Sequence, residues 1–307
     1  MTRPFLSVVM PVHGGGDWLD AALASIQADD PEQIEVVIRD STPDRSRADV
    51  VARHAHRMRI DHVHMPDIAS WTRKTNQAVE AARGEYVCVL HQDDLWLPGR
   101  LALARDMVRR FPHASLFLTP ALIVDATGRK LGQWRPPFEP GPVDPSVYRD
   151  LLLVQNSIAM PAPIFRRDAY LAAGGMDEAL WYTPDWDLWF KLGDHGTVVF
   201  DPRPGTAFRI HGSSLTMMGD RDEFAAQLET VLARNLRADS RTIRISHASL
   251  RINTLLSQAA LDNLPALFRA LGVFLALGPV QASRYLRYSR IVERVLPRLR
   301  LRMMGAI

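Results

Sequence analysis

Residues 86–101 read YVCVLHQDDLWLPGRL, and the reading of this stretch decides the fold. The run YVCVL (86–90) is short, apolar and rich in valine, the character of a buried strand. Leu101, Ala104, Met107 and Val108 recur at helical spacing and predict a helix over 98–110, with Pro98 suited to its first turn. The polar link between them contains two adjacent carboxylates, Asp93 and Asp94. A strand feeding a helix through a polar loop is half of a βαβ unit.

The same alternation extends toward the N-terminus. FLSVVMPV (5–12), IEVVI (34–38) and RIDHVHM (59–65) read as strands, separated by amphipathic stretches at 17–28, 45–57 and 70–82, with Gly84 placed to close the last helix. The expectation is an α/β fold with a mainly parallel sheet flanked by helices. Toward the C-terminus, SLFLTPALIVDATGRKLG predicts a hairpin around the turn DATG, and RPPFEPGPVDP (135–145) predicts a loop. Short helices follow near 146–153, 167–173 and 185–193, and longer ones at 220–238, 247–261, 264–277 and 280–296. A soft boundary near 218 divides the chain into a domain at 1–218 and a helical, Arg-rich C-terminal appendage at 219–307.

Of 307 residues, 47% are hydrophobic and 23% charged, which excludes disordered and fibrous classes. The single cysteine, Cys88, excludes an intrachain disulfide framework and a multi-cysteine zinc site. The start, MTRPFLSVVMPVHGGG, is a poor signal peptide, and no run reaches the ~18 apolar residues of a spanning helix. The expected location is cytoplasmic, soluble or peripheral.

Charge is unevenly placed. Residues 1–218 carry 23 Lys+Arg against 27 Asp+Glu, whereas residues 219–307 carry 14 Arg against 7 acids. Nucleic acid is not the expected partner, because no binding motif accompanies the charge. LPALFRALGVFLAL (264–277) is too short to span and suits a buried or interfacial helix. In SRYLRYSRIVERVLPRLRLRMM, spacings of three and four put Arg284, Arg287, Arg290 and Arg294 along roughly one helical face, with Arg298, Arg300 and Arg302 beyond and Glu293 the one acid. That form suits a helix on an anionic membrane, at the inner face of the plasma membrane. The alternative is docking on the core or on a second copy in a homodimer.

In an open parallel sheet, ligands bind outside the carboxyl ends of the strands. Three polar clusters fall at such ends: MPVHGGG (10–16), RDSTPD (39–44) and HQDD (91–94). Adjacent carboxylates repel, a cost that a divalent cation or sugar hydroxyls between them offset. An Asp at this place also serves as a helix N-cap. Asp40 reads either as an Asx-turn residue or as a carboxylate accepting from a base or ribose. Gly14–Gly16 lacks both GxGxxG and GxxxxGK[ST], and reads as a flexible lead-in to the next helix.

SVVMPVHGG, VVIRDSTPD, NQAVEAARGEYVCVLHQDDLWLPGRL, FRRDAYLAAGGMDE, PDWDLWFKL and FRIHGSSLT occur in the order seen in family 2 glycosyltransferases. The ensemble resembles that family over about residues 5–218. The resemblance implies a GT-A (Rossmann-like) fold, a nucleotide-sugar donor with UDP the first choice, a divalent metal (Mn²⁺ or Mg²⁺) and an inverting displacement onto a glycan or lipid-linked acceptor, in synthesis of a surface polysaccharide. It also implies roles. Pro11, Val12 and His13 match the loop lining the nucleoside, and Asp40 the carboxylate that reads the base. Arg73, Lys74 and Asn76 match the helix facing the nucleotide. Asp93 and Asp94 match the acidic metal motif, with Asp94 the direct ligand, Asp93 nearer the ribose, and Gln92 where many members have Asp. His211 matches a late motif that closes over the diphosphate and in some members binds the metal.

Inverting transfer needs a base for the acceptor hydroxyl. Asp185 matches the family's catalytic base, with Pro184 where an acid is usual, and Asp187 is the alternate. Trp181, Tyr182, Trp186 and Trp189 surround these acids, either as packing or as a stacking face for a sugar. A sugar nucleotidyltransferase is a weaker alternative, since HGGGDWL lacks a basic residue in the glycine loop. A glycosidase would not explain the strand-end pattern. From another class, the departures at Gln92 and Pro184 allow a catalytically silent binding or scaffold protein.

Overall fold

The computed structural model describes residues 3–14, 16–27, 31–212, 220–258 and 263–303. Its first half alternates β1 (Leu6–Val12), α1 (Gly16–Ser25), β2 (Ile34–Asp40), α2 (Ser46–His54), β3 (Arg59–His64), α3 (Trp71–Ala81), β4 (Tyr86–Val89), β5 (Leu95–Trp96) and α4 (Arg100–Arg110). Strands β6 (Ala114–Leu118), β7 (Ala121–Val124), β8 (Lys130–Trp134) and β9 (Gly141–Val143) precede α5 (Pro145–Val154), β10 (Ile164–Arg166), α6 (Arg167–Ala172) and α7 (Pro184–Asp194). Strands β11 (Thr197–Phe200) and β12 (Thr206–Arg209) lead to α8 (Arg221–Asn235), α9 (Ser240–Gln258), α10 (Leu264–Leu275), α11 (Gly278–Ser289) and α12 (Ile291–Met303).

Eight strands form the main sheet in the order β3-β2-β1-β4-β10-β6-β11-β9. β1, β2, β3 and β4 pair in parallel, as do β6 and β11, while β10 runs antiparallel between β4 and β6. The sheet is thus mixed, with helices on both faces. β1 and β2 are buried along their whole length, which a sheet covered on both faces requires, whereas edge strand β3 carries exposed charge. Side chains alternate between two cores: Val9, Val37 and Val87 on one face, Val8, Met10, Val36 and Cys88 on the other. A second sheet, β5-β12-β7-β8, lies beside the acidic loop.

Several expectations change. The helix predicted from 98 begins at Arg100, after Gly99 in the left-handed region at φ 81°. Gly84 is not a left-handed cap: a Cβ there would lie 2.5 Å from Ser7 Oγ, so close approach to β1 demands glycine. The proline-rich loop contains β9, a three-residue edge strand paired with β11. The DATG hairpin is β7–β8, closed by Asp125 accepting from the Thr127 and Arg129 amides.

The helix expected over 280–296 is broken. Arg290 takes φ 49°, ending α11, and its guanidinium pairs with Glu293 at 2.8 Å while Arg294 Nε donates to Ser289 O at 3.0 Å. Arg284, Arg287, Arg290 and Arg294 therefore do not form one continuous stripe. Arg294 also donates to Asn253 Oδ1, and burial pulls its guanidinium down to about 10. Arg300 donates to Leu131 O, Arg298 lies 5.9 Å over the Trp134 ring, and Leu301 is buried with Ile123 and Leu131. Helix α12 thus docks on β7 and β8. Helix α8 adds Val231 and Leu232 to the main core, so the C-terminal helices share the core of the first 218 residues. The boundary placed near 218 lies outside the described residues, as do Gly15 and the SSLT end of the late motif.

Candidate active site

The carboxyl ends of β1, β2 and β4 are joined by a continuous hydrogen-bond network. The His13 amide donates to Gln92 Oε1 at 2.7 Å, and Gln92 Nε2 donates back to His13 O at 2.8 Å. His13 Nδ1 meets the carbonyl and hydroxyl of Ser41, and the Gly14 amide donates to Thr42 Oγ1. Thr42 in turn donates through its amide and hydroxyl to Asp40 Oδ1, closing the Asx-turn read from sequence. Asp40 Oδ2 faces His62 Nε2 at 3.3 Å. Burial opposes ionisation of Asp40, but bonds from His62 and Thr42 outweigh it and hold the carboxyl below its usual range.

Lys74 lies under this network. It is fully buried, donates to Val12 O and Ser41 Oγ at 2.7 Å each, and burial pulls its ammonium down to about 8. It therefore ties loops together from below. Arg73 is the exposed cation on α3. Asn76 faces away: its amide donates to Met176 O and Glu178, and its oxygen accepts from Tyr170 and the Met176 amide. The amide is fully engaged in anchoring the 170–178 segment and does not turn toward the nucleoside loops.

Asp93 and Asp94 project from the loop after β4 into different surroundings. The Arg209 amide donates to Asp94 Oδ1 at 3.0 Å, leaving Oδ2 buried without a hydrogen-bond partner. Burial first, and then the charge of Asp93, push the Asp94 carboxyl well above the usual range. Asp93 Oδ2 instead meets His211 Nε2 at 2.8 Å; this bond and the nearby imidazoles overcome burial and hold Asp93 low. His91 Nδ1 is 4.0 Å from Asp94 Oδ2, its Nε2 is buried without a hydrogen-bond partner, and burial pulls its pKa down, favouring the neutral ring that ligates metals.

Among the described residues, His91, Asp93 and Asp94 bring ligand atoms within 4.8 Å of one another. Two carboxylates, a neutral imidazole and orphaned buried atoms on Asp94 and His91 fit a divalent cation. His211, expected as a ligand, reaches this group through Asp93 and packs at a tilt against Trp18 with ring centroids 4.2 Å apart.

Asp185 is at the N-terminus of α7, where Pro184 occupies a first-turn position. Its Oδ2 accepts from Asn156 Nδ2 at 3.0 Å, and burial pushes its carboxyl up to about 6. That value suits a general base. Asp187 is buried against Lys191 at 2.7 Å and Arg234 at 3.6 Å, which makes it a charge partner inside the fold. Trp186 donates to Leu152 O and Trp189 is fully buried, so both are packing residues. Trp71 ties the acidic loop to the segment ahead of α7: its ring meets His91 edge-on at 5.3 Å, and its Nε1 donates to Trp181 O at 2.9 Å.

His91, Arg209, Asn156, Trp18 and Trp71 were not singled out from sequence. His91 carried a signal, one residue ahead of Gln92 at the strand end. Arg209 ends β12 two residues before His211, but the partners it meets, Asp93, Asp94, Asp125 and Ala126, lie 83 to 116 positions away. A depression of about 510 Å³ at the other end of the sheet involves Arg3, Arg83 and Arg167. Their guanidinium groups are already engaged by Arg83 O, Glu35 and the end of α3.

The model of the family described as "Glycosyl transferase family 2" matches residues 7–163, just over half of the chain. The chain belongs to glycosyl transferase family 2. Relatives of this family 2 chain include an uncharacterized glycosyltransferase of Rickettsia typhi, 23% identical over 69% of this chain and 66% of the relative. One of Rickettsia felis is 25% identical over 68% of this chain and 34% of the relative. The chain thus spans between a third and just under two thirds of the length of these relatives. Among solved structures, S. aureus TarS 1-349 in complex with UDP-GlcNAc superposes with a TM-score of 0.67, covering 98% of this chain and 92% of that one at 18% identity. The mannosyltransferase PcManGT from Pyrobaculum calidifontis, in complex with GDP-Man and Mn²⁺, gives 0.59 over 95% and 88%, also at 18% identity. The family 2 chain shares their fold.

Proposed function

We propose that the chain is an inverting glycosyltransferase that moves a sugar from a nucleoside-diphosphate donor to a hydroxyl of a glycan or lipid-linked acceptor. The observation that carries this reading is a cation-competent acidic loop tied by Trp71 to the Trp181 segment, which leads four residues on to Asp185 with its carboxyl raised to about 6. The nucleoside would lie against Pro11, Val12 and His13, with Asp40 toward the base and Asp93 toward the ribose. Arg73, exposed on α3, would face the diphosphate. Family neighbours with UDP-GlcNAc and GDP-Man support a nucleotide-sugar donor, with UDP the first choice.

A divalent cation, Mn²⁺ or Mg²⁺, held by Asp93, Asp94 and His91, would neutralise charge on the departing diphosphate. Asp185 takes the proton of the acceptor hydroxyl as its oxygen bonds to the anomeric carbon. The bond from that carbon to the diphosphate oxygen breaks, and the nucleoside diphosphate leaves. One displacement inverts the centre. Asn156 holds the Asp185 carboxylate in orientation. Assembly of a surface polysaccharide from the cytoplasmic side is the setting that fits this chemistry.

The test is a donor screen on purified protein, reading nucleotide release with Mn²⁺ or Mg²⁺ and with EDTA. Acceptor-dependent release that EDTA abolishes supports the reading. Nucleotide binding without turnover for every donor and acceptor would favour a silent binding protein.

A further inference from the structure

Helix α10 packs one face against the rest of the chain and leaves the other bare. Ala266 and Ala270 are buried, while Leu264, Leu267, Phe268, Leu271 and Leu275 point outward at helical spacing. Phe268 is 69% exposed and Leu275 65%, and across the following bend Val280 is 68% exposed. Of fourteen large hydrophobics exposed among the described residues, seven lie on α10 and α11, between Leu264 and Leu286. Such clustering marks an interaction surface rather than scattered exposure.

Charge selects the occupant. From Leu264 through Ser289 the chain carries Arg269, Arg284 and Arg287 and no acid, and the nearby Glu293 is engaged by Arg290. In a two-fold dimer through this patch, whatever α10 and α11 residues meet these arginines, the two helices would supply no carboxylate to them. An anionic headgroup supplies the missing charge. No single described helix is long and apolar enough to cross a membrane, and α10 and α11 bend by 113°, which suits a pair lying in the interface plane.

We propose that the α10–α11 elbow inserts its apolar face into the headgroup region of an anionic bilayer, with Arg269, Arg284 and Arg287 against lipid phosphate. The contact is made by this elbow rather than by an arginine stripe running through α12, whose Arg294 is half-buried and bonded to Ser289 and Asn253 and whose Leu301 is buried.

The test is flotation of the full chain with phosphatidylglycerol–phosphatidylcholine vesicles. The double variant F268S/L271S alters exposed side chains, so its melting curve is expected to match wild type while its vesicle binding falls at least tenfold. V147S, which removes an exposed apolar residue elsewhere, is expected to bind as wild type. Raising NaCl to about 0.5 M, or using phosphatidylcholine alone, is expected to weaken binding severalfold. Equal binding by the double variant, equal binding to neutral vesicles, or no flotation would overturn the proposal. A dimer in sedimentation velocity that F268S/L271S dissociates, with no vesicle binding, would assign the face to a second copy. None of these readouts depends on catalytic activity.

Discussion

Gln92 and His13 exchange two hydrogen bonds, side-chain amide to backbone amide, as two strands would. A carboxylate could accept from the His13 N–H but could not donate to its carbonyl. The residue that departs from the usual acid at this place therefore has a structural task, joining the loop after β1 to the loop after β4.

Gln92→Glu tests that task. It removes one donor and adds a negative charge beside Asp93 and Asp94. A lost hydrogen bond of this kind costs about 1 kcal/mol. Nucleotide affinity, measured by calorimetry in the presence of Mn²⁺, is expected to fall about fivefold. An unchanged affinity would show that the two loops hold their positions without Gln92.

Asp185→Asn is expected to reduce turnover on the order of 10²–10⁴-fold while nucleotide binding persists. In the wild type, the rate should rise with pH through about 6 and then level, because the base acts when deprotonated. Stability runs the other way. The folded carboxyl holds its proton to higher pH than the unfolded one, so stability falls as pH rises from about 4 to about 6. The pH dependence of melting for Asp185→Asn against wild type measures this directly.

Cation binding at Asp94 has its own thermal signature. Its carboxyl is raised by burial and by Asp93, so without a cation the folded chain loses stability as pH climbs above the ordinary carboxylate range. A cation favours the ionised form, and the rise in Tm produced by Mn²⁺ should be larger at pH 8 than at pH 5. Asp94→Asn should abolish most of that rise. A Tm shift independent of pH and of this substitution would place the cation elsewhere.

Asp187 is expected to matter for folding before catalysis. Lys191→Met removes one of its two cationic partners and leaves a buried carboxylate undercompensated. Lys191 is one-third exposed, so the cost is expected to be roughly 1–3 kcal/mol, below that of a fully buried pair. Chemical denaturation reads the loss, and kcat of the folded fraction should stay near wild type.

Leu301→Ala probes the docking of α12 on the second sheet. Leu301 is 1% exposed among Ile123, Leu131 and Ile210, and truncation there should cost about 2–4 kcal/mol. No change in denaturation midpoint would mean that α12 contributes nothing to the fold.

The first four strands and their helices were legible because β-branched, apolar runs alternate regularly with amphipathic helical stretches, and the acidic pair was legible because it follows one of those runs. Strands β10, β11 and β12 are three or four residues long and depend on distant partners, so no local pattern announced them. The site divides similarly. Asp93, Asp94 and Asp185 stand out as acids in informative places. Asn156 becomes relevant only because α5 brings it to a residue 29 positions away, and Trp71 only through a carbonyl 110 positions away. The break at Arg290 was hidden for a different reason: the amphipathic spacing continues through it, and only the left-handed Arg290 and the bond from Arg294 back to Ser289 O reveal the turn.

Each imidazole of the acidic loop and its late partner has an indole beside it: Trp71 at His91, Trp18 at His211. Indole emission responds to the charge and position of a neighbouring ring, so the chain carries a pair of built-in optical reporters at the place where a donor and a cation would arrive. Occupancy and the order of addition can be followed in native protein as a change in fluorescence over the constant emission of the other five tryptophans, without label or coupled assay. Replacing each tryptophan in turn with phenylalanine would assign the two signals to the two ends of the site.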